Sequence, residues 1–241
     1  MIKIALNGAR PKTESRFIPN SPSEIKEDVQ KLFHAGFSVF HVHIYENSGK
    51  ESLADKDLSA VISSLSFISK KIKIGISTGD WIEPDLTKRI NHIRSWKIIP
   101  DFASVNMVEE NSIEIAEELI KKGIKVEAGL TDPESAEKFV KSGIIKNCIR
   151  ILIEPQEQNL NEALIMVEKI EAVLNDKKIK LKRLLHGFDD TAWGLINEAF
   201  KRNYDTRIGL EDTIFLPSGK KASGNLELAE EALKLKLNEY K

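Results

Sequence analysis

Short apolar runs rich in β-branched residues alternate with longer stretches of helical periodicity along the whole chain, and few folds accommodate that rhythm. The runs read as strands are residues 2–7, 38–43, 73–77, 102–106, 125–129, 148–154, 182–187 and 206–211. Several show little alternation, as strands buried on both faces do. Between them lie amphipathic segments with recognisable ends. Ser21-Pro22-Ser23-Glu24 offers a capping residue, a proline at the first helical position and an acid at the third. Ile25, Val29, Leu32 and Phe33 then share a face, and Gly36 supplies a stop. Thr131-Asp132-Pro133-Glu134 repeats that start, with Phe139 and Val140 inside and Gly143 as the stop. Residues 111–114 read as the cap of a helix ending at Gly123; further helices are expected at 58–68, 86–96, 164–174, 193–200 and 226–237.

Eight strands alternating with eight helices in 241 residues predict an α/β chain folded as a single-domain (β/α)8 TIM barrel over residues 1–241. A doubly wound open sheet competes, but the loop after the first strand reads Asn7-Gly8-Ala9-Arg10, not a dinucleotide fingerprint, and no P-loop occurs. No Pro-, Gly- or Ser-rich linker divides the chain. The formal net charge of −1 argues against nucleic acid or an anionic membrane as partner. No run approaches the roughly 18 apolar residues of a membrane span. The opening Ile2-Lys3-Ile4-Ala5-Leu6 is unlike a signal peptide. The single cysteine, Cys148, allows neither an internal disulfide nor a Cys-pair metal site, and the expectation is a cytoplasmic protein. The runs Lys70-Lys71 and Lys177-Lys178 read as solvated helix ends.

In such a barrel the chemistry sits at the C-terminal ends of the strands. The second strand ends Phe40-His41-Val42-His43, and residues two apart on a strand face one side, so both imidazoles project together. Two imidazoles on one face commonly begin a metal site, although His-x-His alone also occurs as a structural pair. The eighth strand ends Arg207-Ile208-Gly209-Leu210-Glu211-Asp212. Even-numbered strands share interior layers, so Glu211 can reach the point faced by His41 and His43. Two histidines and one carboxylate leave coordination positions open, as a catalytic metal requires. Arg207 and Asp212 also read as a simple ion pair. Ser77, Ser104, Asn106, Glu127 and His186 are further polar strand ends, and Glu154 reads as a satisfied core polar residue.

These residues resemble the β-keto acid cleavage enzymes, the family that includes 3-keto-5-aminohexanoate cleavage enzyme. The likeness covers Ala5-Leu6-Asn7-Gly8-Ala9-Arg10, His41-Val42-His43, Ile76-Ser77-Thr78-Gly79, Ala103-Ser104-Val105-Asn106, residues 207–212 and the helix led by Asn225. It implies a zinc-dependent barrel, oligomeric as a homodimer or homotetramer. Such an enzyme converts a β-keto acid and acetyl-CoA into acetoacetate and a new acyl-CoA. By position, His41, His43 and Glu211 would be the zinc ligands. Ser77, Arg207 and Asp212 would form the hydrogen-bonded group that assists deprotonation. Arg10, Ser104, Asn106 and Glu127 would line the substrate site.

The sequence also departs from that pattern. Arg10 stands where the aminohexanoate-cleaving relatives carry an acidic residue, which disfavours a substrate amine; pairing of Arg10 with a nearby carboxylate is the alternative. Tyr45-Glu46 replaces a common Arg-Asp, and Ile153-Glu154-Pro155 replaces a glycine-rich loop, which leaves the CoA-binding surface without a motif. His186, with Asp189 and Asp190, is expected either to contact substrate or to border a helix cap from one of the two aspartates. Two rival readings remain: a metal-dependent barrel hydrolase of the amidohydrolase type, whose His-x-His pair belongs on the first strand, and a metal- or CoA-binding sensor without turnover.

Overall fold

The computed structural model describes residues 1–68 and 70–239. Eight strands are laid down in chain order: β1 Ile2–Ala5, β2 Val39–Val42, β3 Lys73–Ser77, β4 Phe102–Asn106, β5 Lys125–Leu130, β6 Cys148–Ile153, β7 Arg183–Leu185 and β8 Asp205–Ile208. Each pairs in parallel with the next, and β8 returns to β1 through Ile2↔Thr206, Lys3↔Arg207 and Ile4↔Ile208, closing the barrel. The helices that carry the chain back are α1 Pro22–His34, α2 Asp55–Ser64, α3 Leu86–Ser95, α4 Ser112–Lys121, α5 Pro133–Lys141, α6 Leu160–Asp176, α7 Ala192–Lys201 and α8 Asn225–Glu239. A (β/α)8 barrel is therefore the architecture, as the alternation predicts. No described helix is long and apolar enough to cross a membrane.

Local chemistry explains most boundaries. Ser21 and Glu24 form the predicted capping box, with Pro22 opening α1. At α5 the box is built by Asp132 with Ser135 rather than with Glu134. Asn111 makes no capping hydrogen bond through its side chain, so that expected cap is absent. Neither Asp189 nor Asp190 caps α7; Thr191 stands at its N-cap. The outward faces of the strands (Ile4, Phe40, Val42, Ile74, Ile76) and the inner faces of the helices (Ile25, Val29, Leu32, Leu58, Val61) belong to one buried cluster. Each such apolar side chain contributes roughly 1.5–3 kcal/mol by leaving water.

The barrel interior is unusually polar. Lys3 and Glu127, both fully buried, form an ion pair across it, and Arg150 approaches the other Glu127 oxygen at 3.2 Å. Burial opposes charge on both partners. It brings Lys3 down to about 8, whereas Lys3 and Arg150 overcome it at Glu127, which falls to about 2. Ser104 donates to Glu127 at 2.9 Å. Glu127, expected to line the substrate site, is fully buried in these ion pairs and is not among the residues that line the cavity at the barrel mouth.

Candidate metal centre and active site

At the C-terminal mouth a cavity of about 860 Å³ opens between the strand ends. The backbone beneath it is stapled by two asparagines. Asn7 donates through Nδ2 to the His43 and Pro19 carbonyls and accepts from the His43 N–H at 2.8 Å, which fixes the end of β2 where regular pairing stops. Asn225, at the start of α8, accepts from the Leu210 N–H and donates to the Leu6 carbonyl, each at 2.7 Å, which fixes the turn after β8. Gly8 adopts φ +58°, and a side-chain carbon there would collide with Glu211. The glycine is required both by its backbone and by its neighbour.

His41, His43 and Glu211 converge as the strand parity predicts, with one donor atom from each lying within 4.8 Å of the others. His43 Nδ1 meets Glu51 Oε2 at 2.7 Å, so its Nε2 is the nitrogen turned to Glu211 Oε1, 3.5 Å away. His41 Nε2 lies 3.8 Å from Glu211 Oε2. Glu51 reaches the site from the turn after β2, where Tyr45 pairs with Glu51 as an isolated bridge. Trp81 covers the centre, its ring stacked on His43 at 6.2 Å and its Nε1–H directed at Glu51 Oε1 at 3.3 Å. The arrangement has the carboxylate behind one imidazole that orients metal-binding histidines.

The electrostatics suit a cation. Burial disfavours a charged His41 and holds its pKa well below the ordinary value, so it is a neutral donor. Burial likewise opposes charging His43, but Glu211 and Glu51 hold it at about 9, the signature of a position prepared for positive charge. At Glu211, Arg207 and the two histidines outweigh burial and keep the carboxylate ionised. Glu211 Oε2 and His41 Nδ1 are buried without a hydrogen-bond partner. Unsatisfied buried donors and acceptors of this kind are costly unless a ligand completes them. The residues present therefore fit a divalent metal ion.

Arg207 and Asp212 lie beside this cluster, both buried. Arg207 donates to Asp212 Oδ1 at 3.0 Å and 2.6 Å, and to Glu211 Oε1 at 2.8 Å. Burial works against the guanidinium, yet Asp212 and Glu211 raise it further, so Arg207 stays protonated. Burial pushes Asp212 up and Arg207 restrains the rise, leaving the carboxyl at about 6. Ser77 lines the cavity but does not join this pair. Its short side chain on β3 does not span to β8, and among the described residues its hydroxyl receives only the Gly79 N–H at 3.4 Å.

The remaining candidates divide. Ser104 and Asn106 line the cavity, Asn106 donating to Glu109 Oε1 at 3.2 Å. Arg10 lines it too, but its charge is engaged by Glu14 at 2.9 Å and by Asp189, and its Nε donates to the Glu211 carbonyl at 3.0 Å. The carboxylate-pairing alternative thus describes Arg10. His186 does not contact the cavity; it is fully buried between Glu154 and Asp212. Glu154, expected to be a satisfied core residue, lines the cavity with Oε1 unpartnered. Burial pushes its pKa to about 8. Glu51 and Trp81 were not signalled by the sequence; Asn7 and Tyr45, whose hydroxyl donates to the Gly8 carbonyl, stand out there only as parts of family motifs, with no positioning role attached. Each acts through a tertiary contact rather than a local motif.

Fold and cluster together define a (β/α)8 barrel with a candidate metal centre at its C-terminal mouth. The family model for the beta-keto acid cleavage enzyme matches residues 1–238, and the chain belongs to that family. Among solved structures, a ternary complex of ObcA with a C4-CoA adduct and oxalate superposes with a TM-score of 0.72 at 14% identity, covering 94% of this chain and 64% of that one. The chain therefore spans less than two thirds of the ObcA length. The 3-dehydroquinate dehydratase from Geobacillus kaustophilus HTA426 gives 0.61 at 7% identity, over 98% of this chain and 90% of that one. A native KDPGal structure gives 0.57 at 12% identity, over 99% and 93% respectively. At these identities the likeness is one of fold.

Proposed function

We propose that the chain is a zinc-dependent acyltransferase that cleaves a β-keto acid with acetyl-CoA, releasing acetoacetate and a new acyl-CoA. Family membership supports the substrate class, and the C4-CoA adduct carried by ObcA agrees with CoA as the acyl carrier. The observation that carries the reading is the convergence of His41, His43 and Glu211 beside the buried Arg207–Asp212 pair.

A divalent ion held by the triad would supply Lewis acidity to the oxygens of a bound keto acid. The chain's own groups account for the proton. Between the ketone and the carboxylate lies an acidic carbon, and a base near neutral pKa is best suited to deprotonate it. Asp212, at about 6, has the basicity for this. It lies behind Arg207, the member of the pair that lines the cavity, so the proton reaches Asp212 through that hydrogen-bonded pair and Arg207 is a cation before and after. The carbon so freed attacks the acetyl carbonyl and CoA thiolate leaves. The thiolate then adds to the original ketone carbon, the bond to the former α-carbon breaks, and that carbon takes back the proton held by the Arg207–Asp212 pair to give acetoacetate. Protonated Arg207 lowers the cost of the negative charge that develops nearby. Ser77, Ser104 and Asn106 border the space available to the acid. Arg10 lines the same mouth, but Glu14 and Asp189 engage its charge, so it sets no preference for the charge of the substrate's tail.

The test is incubation of the zinc-loaded protein with acetyl-CoA and a panel of β-keto acids, following acetoacetate with and without chelator. Chelator-sensitive acetoacetate formation is expected. Binding of the same acids with no product under any condition would favour a sensor and contradict the proposal.

A further inference from the structure

On the wall of the barrel opposite the histidine pair, the structure assigns Glu154 as a specificity-determining residue, held by His186 and aimed at an uncharged hydrogen-bonding group on the far end of the substrate. The assignment rests on the reaction proposed above and narrows its substrate class. β6 lies four strands from β2 in a closed ring of eight, so a keto acid anchored beside His41 and His43 extends its tail toward β6. Glu154 follows β6 directly and lines the cavity there.

Three features mark it as more than a core residue. Its side chain is only 8% exposed, yet Oε1 has no hydrogen-bond partner. An unspent buried polar atom on a cavity wall is completed by a ligand more readily than by the protein. The neighbouring strand makes room for it: a side-chain carbon at Gly129 would collide with Glu154 Oε1 and come within 3.0 Å of Asn106 Oδ1. The carboxyl is also held from behind. His186 Nε2 stands 3.3 Å from Glu154 Oε2, and the imidazole is itself fixed edge-on against Phe188 at 4.9 Å.

The chemistry of the partner follows from the surroundings. Burial keeps Glu154 protonated at neutral pH, so it offers a hydroxyl donor and a carbonyl acceptor rather than a charge. A tail hydroxyl or carbonyl oxygen satisfies such a group. An ammonium would be drawn to Asp132 and Glu157 on the same wall rather than to the neutral Glu154, and a tail carboxylate would be repelled by them. Glu154 is a binding group that touches substrate, and His186 is a positioning residue that acts through it.

The experiment is calorimetric titration of the zinc-loaded chain, without acetyl-CoA so that no turnover intervenes, using 3-keto-5-hydroxyhexanoate, 3-ketohexanoate, 3-keto-5-aminohexanoate and 3-ketoadipate. The hydroxy acid is expected to bind about tenfold more tightly than the unsubstituted acid, the gain from one well-made hydrogen bond. Glu154→Leu should bring that ratio to about one, whereas Glu154→Gln, still a neutral donor and acceptor, should keep most of it. His186→Asn should weaken the hydroxy acid while leaving the unsubstituted acid unchanged, a selectivity that a general loss of structure would not produce. Tightest binding by the diacid, loss of amino-acid affinity in Glu154→Leu, or an unchanged ratio in Glu154→Leu would overturn the assignment. Turnover without hydroxyl preference would remove the role of Glu154 and keep the reaction; hydroxyl preference without turnover would do the reverse.

Discussion

His43 has two jobs divided between its nitrogens, since Nδ1 is committed to Glu51 and Nε2 faces Glu211. Glu51 touches no ligand position in this arrangement, so its effect on a metal should be indirect but measurable. Glu51→Gln is expected to weaken zinc affinity about 10- to 100-fold, read by competition with a chromophoric chelator; unchanged affinity would remove Glu51 from the account. Asp212 makes the opposite prediction. Asp212→Asn should lower kcat by about 10²- to 10⁴-fold with metal content unchanged, because a base is lost and the ligands are not. Equal kcat in the two proteins would assign the proton to another group. The metal triad was legible because strand parity turns His41 and His43 to one side and barrel closure brings Glu211 beside them. Glu51 was not, because a turn in three dimensions returns it to His43. Glu154 reads as a satisfied core residue, since sequence does not tell a paired buried carboxyl from an unpaired one at a cavity.

Elements carry these side chains to their places through short, specific devices. Gly8 combines a left-handed backbone with contact against Glu211, so Gly8→Ala forces both strain and displacement. The variant is expected to stay folded by circular dichroism but to lose most of its bound zinc; full zinc retention would mean that Glu211 is not held by this packing. Strand positions were readable from apolar runs, while several ends were not. β8 was expected through Glu211 but stops at Ile208, because Gly209 packs against the Ala5 carbonyl and the chain turns to aim Glu211 inward. α6 starts at Leu160 rather than at 164, since Asn159 accepts from the N–H groups of Asn161 and Glu162, a cap that apolar periodicity overlooks. α2 begins at Asp55 with no side-chain cap at Ala54, so no local signal marked its start.

Taken as one molecule, the barrel encloses groups whose protonation couples folding to pH. Glu154 illustrates the sign. Its folded pKa is raised to about 8 by burial, so the native chain retains a proton that the unfolded chain releases above its ordinary value of 4.5. That contribution is favourable below about 4.5 and is lost as pH rises through 8. Glu154→Gln removes the titration, so its melting temperature should match the parent near pH 4.5 and exceed it increasingly towards pH 8.5. A constant difference across that range would mean that Glu154 is ionised in the fold. Glu127 runs the other way: depressed to about 2 by Lys3 and Arg150, it supports the fold above pH 4.5 and ceases to as pH falls towards 2. The most direct test of the whole account is the metal content of the chain purified with zinc, compared by elemental analysis with that of Glu211→Gln. About one ion per chain is expected in the parent and close to none in the variant. Equal content in the two, or no zinc in the parent, would contradict the triad on which the reaction depends.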